Sequence, residues 1–298
     1  MKLLLLGANG QVGWELQRSL APLGDVITAG RGPGIDQVAD LSQPESLRAV
    51  IDAIRPDWIV NAAAYTAVDK AESEADLAFR VNALAVGALA EAARDAGASL
   101  LHYSSDYVFD GSGDDPRHED APTGPLSVYG HSKLEGEHRI QQSGCKHVIV
   151  RTSWVYSARG SNFARTMLRL ASQQERLSVV VDQIGAPTGA DLIADVSAHV
   201  IRSVLERPQL QGTYHLAATG ETSWHAYAMH VIDWARANGL PVKVPGDGVN
   251  PVLTSAYPTP ARRPLNSRLS TERLRTAFGL SLPAWQTGVT RMLTESCL

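Results

Sequence analysis

Tyr129 and Lys133 stand four residues apart in a stretch that reads as a helix beginning after Pro125, so both side chains fall on one helix face. An ammonium beside a phenol favours phenolate and draws a tyrosine pKa from about 10 toward neutrality, where a proton donor works best. Proton transfer is the chemistry expected of the pair. A third group should be a hydroxyl at the C-terminal end of a central strand, where open α/β sheets put their ligands. Ser104 and Ser105 follow such an apolar run. Either could hydrogen-bond a carbonyl oxygen, and either could equally satisfy turn backbone groups.

A second constellation, Gly7, Gly10 and Gly13, follows the first apolar run and opens a helical pattern. Glycines there permit a tight turn and close backbone approach, and the helix N-terminus offers free N–H groups to a pyrophosphate. The second strand ends Thr28-Ala29-Gly30-Arg31. No acid stands at that tip to accept from ribose hydroxyls, and Arg31 suits a 2′-phosphate, so NADP(H) is the expected cofactor. Asp40 and Leu41 are positioned to cover the adenine. Ala64, Tyr65 and Thr66 lie where the chain passes the ribose and phosphates.

The elements that must position these residues alternate between short apolar runs and helical patterns, the mark of βαβ units. Strands are expected at Lys2–Leu6, Val26–Thr28, Trp58–Asn61, Ser99–Ser104 and His147–Arg151. A helix is expected from Leu77 to Ala96, stopped by Gly97. The fold class is α/β: a Rossmann-like doubly wound parallel sheet with a smaller C-terminal substrate-binding lobe. Residues 1–153 form the nucleotide-binding domain, with a later contribution from about 177–206, and 154–298 form mainly the substrate lobe. In that lobe the pattern predicts helices at Phe163–Gln174 and Trp224–Asn238, strands at Leu177–Val181 and Thr213–Leu216, and a Pro-rich stretch from Pro241 to Ser270. Loops of that length suit closure over a ligand.

The whole chain sets bounds on function. With 298 residues, 27 Lys plus Arg and 31 Asp plus Glu, it is mildly acidic and has no basic run. That excludes the electrostatic footprint of nucleic-acid binding. The apolar run Leu3–Leu6 stops at Gly7, too short for a signal core or a spanning helix, so neither secretion nor membrane insertion is expected and the chain reads as cytoplasmic. Cys145 and Cys297, far apart, fit a reducing compartment and offer no metal framework.

At these residues the sequence resembles the dTDP-4-dehydrorhamnose reductases of the extended short-chain dehydrogenase/reductase superfamily. The resemblance runs through Gly10-Gln11-Val12-Gly13, the segment from Asn61 to Asp69, Ser104-Ser105-Asp106-Tyr107-Val108-Phe109, Tyr129-Gly130-His131-Ser132-Lys133, the segment from Arg151 to Tyr156, Gly185 to Gly189 and Thr254 to Pro260. It implies NADPH-dependent reduction of the C4 ketone of a dTDP-linked 6-deoxy sugar. By that resemblance Tyr129 donates the proton, Lys133 tunes it and holds the nicotinamide ribose, and Ser105 replaces the usual threonine. Gln11, Val12 and Tyr103 join the cofactor site, and Val68, Asp106 and Trp154 line the sugar pocket. Independently, Arg262 and Arg263 are adjacent guanidinium groups suited to a sugar-nucleotide diphosphate.

Some members of that family are dimers bridged by magnesium at acidic residues, and the matching positions are Glu15, Asp191 and Glu295. Three acids spread along a chain are ordinarily solvated, so no metal is assigned and a homodimer is left open. An epimerase or 4,6-dehydratase shares the glycine turn and the Tyr-Lys pair. Dehydratases, however, carry a second acid after the strand-end hydroxyl, and here Tyr107 follows Asp106. The regulatory subunit of methionine adenosyltransferase resembles the same reductases, so cofactor binding alone does not establish turnover.

Overall fold

Residues 1–297 are described by a computed structural model. Continuous apolar runs build its central sheet. In β1 (Lys2–Leu6), Leu3 and Leu5 face one side while Leu4 and Leu6 face the other, and all four are buried. The next elements are α1 (Gln11–Leu20), β2 (Asp25–Gly30), β3 (Gln37–Val38), α2 (Pro44–Ile54) and β4 (Trp58–Asn61). Then come α3 (Val68–Ala71), α4 (Ala75–Phe79), α5 (Ala85–Ala96), β5 (Ser99–Ser105), α6 (Val128–Ser143) and β6 (Lys146–Thr152).

The second half carries β7 (Val155–Tyr156), α7 (Phe163–Gln173), β8 (Leu177–Val180), β9 (Ile184–Gly185), β10 (Thr188–Gly189), α8 (Ala190–Glu206) and β11 (Gly212–Leu216). It ends with β12 (Thr222–Ser223), α9 (Trp224–Ala237), β13 (Val249–Val252), α10 (Glu272–Phe278) and α11 (Trp285–Cys297).

Seven parallel strands run in the order β11-β6-β5-β4-β1-β2-β3. The order reverses between β1 and β4, and such a switch point opens a crevice at the strands' carboxyl ends. One face packs Leu3, Trp58, Leu101 and Val148 against α1 and α8. The other packs Leu4, Ile59, Leu100 and Ile149 against α2 and α5. This is the expected doubly wound α/β fold. A separate core of α7, α9 and α11 around Met167, Tyr227 and Val289 makes the second lobe.

Three local expectations are corrected. Of the contribution expected from about 177–206 to the nucleotide-binding domain, α8 packs on the main sheet, but strand Leu177–Val180 pairs with β13 in the second lobe. The strand at 212–216, read as part of that lobe, is instead the outer strand of the main sheet beside β6. The helix from Leu77 is interrupted by a π-helical turn, Arg80–Leu84. The extra residue rotates the apolar stripe, leaving Leu77 and Leu84 exposed and bringing Asn82 inside.

Candidate active site

Gly7 ends β1 with φ +80°, and a Cβ there would lie 2.6 Å from the Ala63 nitrogen. A Cβ on Gly13 would meet the Gly7 carbonyl oxygen at 2.0 Å, so helix and strand touch through bare backbone. α1 starts without a side-chain cap. Its first N–H groups are therefore free for an anion. Beside them opens a cleft of about 340 Å³. Gly7, Gly10, Arg31, Asp40, Leu41, Ala64 and Tyr65 all line it.

The remaining cofactor-site expectations fare differently. Gln11 turns toward the Gly160–Ser161 loop, its amide donating to the Ser161 carbonyl at 3.1 Å. Val12 and Gly13 lie within the first turn of α1, outside the cleft lining. Thr66 is exposed and also outside that lining. Tyr103 requires a correction: its ring is buried in the core under α8, with its hydroxyl 2.6 Å from Ser197. Alternation along β5 sends it away from the cleft, and what it offers the site is its carbonyl.

Arg31, largely exposed, stands 3.7 Å from Asp40. A mobile, weakly paired guanidinium at the rim can turn to a phosphate at small cost. Arg31→Ala is expected to erode a preference for NADPH over NADH by about 1–3 kcal/mol, measured as the ratio of kcat/KM values. An unchanged ratio assigns phosphate recognition elsewhere.

Ser127 caps α6, accepting from the Gly130 N–H at 3.2 Å, and that helix carries Tyr129 and Lys133 across the end of β5. Burial pushes the Tyr129 phenol up to about 12, and a hydrogen-bonding contact from Ser105 opposes the shift. This corrects the expected fall toward neutrality. The reason is geometric: Lys133 Nζ is directed inward, donating to the Tyr103 carbonyl at 2.6 Å and lying 3.4 Å from His102 Nε2. Burial holds Lys133 down at about 8, with Glu137 pulling the other way.

Ser105 is buried at the tip of β5; its hydroxyl donates to the Asp106 carboxylate at 3.0 Å and accepts from the Tyr107 N–H at 3.2 Å. Tyr107 meets Tyr129 edge-on, with ring centres 5.4 Å apart. Ser104 is buried as well, its hydroxyl without a protein partner. Asp106 has one carboxylate oxygen unpaired. Burial raises its pKa to about 6 against the hydrogen bonds from Ser267 and Ser105.

A carboxyl group whose folded pKa is raised stabilises the fold below its unfolded value and loses that contribution as pH climbs through 6. From the ordinary value of 3.8 to about 6, the ionised form costs roughly 3 kcal/mol at about 1.36 per unit. Asp106→Asn should therefore be more stable than the parent at pH 8, with the gap closing toward pH 4. Thermal unfolding across that range checks it; a constant gap would show that the folded Asp106 carboxyl titrates at its unfolded value and is not raised by burial.

Of the remaining substrate expectations, Val68 opens α3, which is tied to the 254–263 loop because Asp69 accepts from Arg263 at 2.8 Å and from the Ala261 N–H at 3.3 Å. The arginine pair separates. Arg263 is engaged by Asp69 with one buried nitrogen unpaired, while Arg262 points outward. Trp154 adopts φ +49° and stacks on Trp224 at 3.6 Å and 14°, placing its ring between the sheet's end and the second lobe. Asn82 was not legible as a site residue. It donates to the Tyr65 carbonyl at 3.0 Å and accepts from the Tyr65 N–H at 2.9 Å, fixing the 63–66 segment, and donates to Ser132.

The acid trio does not converge on a metal geometry. Glu15 faces Arg18, and Asp191 and Glu295 share Arg291 at 3.8 and 2.9 Å. Among the described residues no three His, Cys, Asp or Glu side chains form a group able to hold a metal ion.

The parallel sheet with its glycine turn, the hydroxyl at the end of β5 and the Tyr-Lys helix define a short-chain dehydrogenase/reductase of the extended kind. The model of the family described as RmlD substrate binding domain matches residues 1–297. The dTDP-4-dehydrorhamnose reductase of Escherichia coli K12 is 55% identical over 295 residues, covering 99% of this chain and 98% of the relative. The dTDP-4-dehydrorhamnose reductase of Bacillus anthracis, solved in complex with NADP, superposes with a TM-score of 0.86 at 36% identity and 99% coverage of both chains. A UDP-glucose 4-epimerase of Thermus thermophilus, 22% identical and covering 99% and 98% of the chains, shares the fold at a TM-score of 0.80. The chain belongs to the dTDP-4-dehydrorhamnose reductase family.

Proposed function

We propose that this chain reduces the C4 ketone of dTDP-4-dehydro-L-rhamnose with NADPH, giving dTDP-L-rhamnose, the last step of dTDP-rhamnose biosynthesis. One observation carries the reading: in a chain 55% identical to a relative of that name, a buried serine hydroxyl and a protonated phenol meet at the end of β5, separated only by β4 from the strand that ends in the glycine turn. Gly7, Gly10 and the start of α1 would hold the pyrophosphate, Arg31 the 2′-phosphate, Asp40 and Leu41 the adenine side, and Lys133 the nicotinamide ribose. NADPH, when bound, supplies the hydride.

Ser105 donates to the C4 oxygen and orients it. Tyr129, protonated at neutral pH because burial disfavours its phenolate, gives that oxygen its proton. Asp106, Val68 and Trp154 surround the sugar. Arg262, free of Asp69, is the better of the two arginines for the diphosphate. Residues 1–153 with α8 and β11 act as the cofactor lobe, and the remainder closes over the nucleotide sugar.

Among the described residues no helix is long and apolar enough to cross a membrane, and both cysteines are free. These features support work in the cytoplasm, and the reading requires neither a metal nor a second copy. The test is to mix protein, NADPH and dTDP-4-dehydro-L-rhamnose and follow reduced nicotinamide by absorbance. Stoichiometric loss of NADPH is expected. Sugar conversion without net loss would indicate an epimerase or dehydratase, and binding without conversion a regulatory protein.

A further inference from the structure

Behind Lys133 lies a buried chain of groups that neither the glycine turn nor the Ser-Tyr-Lys set uses. Asn61 ends β4 and His102 sits opposite it in register on β5; both are about 1% exposed. The Asn61 amide lies between a backbone N–H and an imidazole. Its oxygen accepts from the Ala63 N–H at 3.2 Å, and its NH₂ stands 3.1 Å from His102 Nδ1. A backbone N–H can only donate, so the amide orientation is forced. The NH₂ then faces Nδ1, and Nδ1 must accept.

Burial, with Lys133 adding to it, holds the His102 imidazole well below its ordinary range, so the ring is neutral and carries a single proton. With Nδ1 accepting, that proton is on Nε2, and Nε2 is the atom 3.4 Å from Lys133 Nζ. The lysine therefore meets an N–H donor on this side and an acceptor, the Tyr103 carbonyl, on the other. An amine accepts from the first and donates to the second. An ammonium faces a competing donor.

The other groups around Lys133 come from each element packed against it. Glu137 lies one turn on along α6, but its carboxylate is bound by Arg151 of β6 at 2.6 to 3.2 Å. Tyr129 shares the helix and is protonated, and Asp106 and Ser105 stand at the end of β5. No other titratable group is in hydrogen-bond contact with Nζ among the described residues.

We infer that Asn61 and His102 are positioning residues for Lys133: Asn61 locks the ring as its Nε2–H tautomer, and that N–H favours the uncharged amine of Lys133. The consequence is that Lys133 exchanges its proton near neutral pH, able to receive one from, or return one to, the Tyr129 side of the site. This rests on the reductase reading for its catalytic meaning, but its structural content does not depend on turnover.

The test uses the full-length protein labelled with ¹⁵N in histidine and ¹³C at Cε of lysine; the chain has only five lysines, so Lys133 can be resolved. Long-range ¹H–¹⁵N spectra should show the His102 proton on Nε2 throughout the pH range of folding. Asn61→Asp accepts from both the Ala63 N–H and the ring, moving the proton to Nδ1 and turning Nε2 into an acceptor for the ammonium. The Lys133 midpoint should then rise by about one unit or more, and with it the corresponding limb of the kcat–pH profile.

His102→Phe, of similar size, should shift the midpoint in the same direction by a smaller amount. His102→Gln, whose amide can present an N–H at that point, should return it toward the parent value. An Nδ1–H ring in the parent protein would overturn the inference. So would a Lys133 midpoint unmoved in both folded variants. Loss of the reductase reading alone would leave the tautomer and the midpoint shifts intact, so the two failures are distinguishable.

Discussion

Tyr129→Phe is expected to lower kcat by at least about 10²-fold while leaving NADPH affinity nearly unchanged, the scale of removing a general acid. The ring stays in its place: its edge-on contact with Tyr107 at 5.4 Å and its burial belong to the aromatic body, which phenylalanine keeps. Only the hydroxyl is removed. Ser105 remains able to donate to the carbonyl oxygen, so residual turnover should reflect orientation without a proton source. Steady-state kinetics alongside NADPH titration separate the two effects. Near-full activity would show that the proton arrives by another route, and parallel losses in turnover and cofactor affinity would make the phenol a binding group.

Gly7→Ala should be the most damaging single change in the cofactor cleft. A side chain at φ +80° costs about 1–2 kcal/mol, and a Cβ placed 2.6 Å from the Ala63 nitrogen adds an overpacking term of roughly 1–3 kcal/mol. The neighbour is backbone, held by the Asn61 and Asn82 contacts on either side of it, and cannot swing away as a flexible side chain would. The expected outcome is about 2–5 kcal/mol of lost stability together with strongly weakened NADPH binding. Denaturant unfolding and fluorescence titration measure these separately. A variant with parental stability and parental affinity would show that the turn relaxes freely and that its glycine is not required.

These two sites differ in how far the sequence reveals them. Gly7 was legible because a glycine ending an apolar strand and opening a helix is a local pattern, and the same local logic placed β1 and β4 to the residue. Tyr129 and Lys133 were legible as a pair on one helix, since spacing of four is also local. The direction of the ammonium was not. It depends on the Tyr103 carbonyl and on His102, some thirty residues away on β5, and these meet α6 only after the sheet is assembled. Tyr103 itself was misplaced because strand alternation sends alternate residues to opposite faces, and a resemblance carries a position without its facing.

The second lobe was harder to read for a related reason. β8 was legible from its apolar run, but its partner β13 lies about seventy residues further on and contains Pro251, so it carries no strong strand signal of its own and the pairing was not legible. α11 was likewise unrecognised, because Gly288 and three threonines dilute its apolar stripe although Val289, Met292 and Leu293 are buried. The π-helical turn at Arg80–Leu84 has no composition cue. It becomes interpretable only once Asn82 is seen bridging Tyr65 and Ser132.

The central claim is a net transfer of hydride to C4 of the sugar with a proton delivered to its oxygen, and it is tested most directly by following the transferred hydrogen. NADPH carrying deuterium in the transferred position on the nicotinamide is incubated with the protein and dTDP-4-dehydro-L-rhamnose, and the nucleotide sugar is examined by NMR. The account predicts dTDP-L-rhamnose with deuterium at C4 alone, formed in proportion to the NADPH consumed. Deuterium at another carbon, or an altered sugar formed with no deuterium and no net oxidation of NADPH, would contradict it.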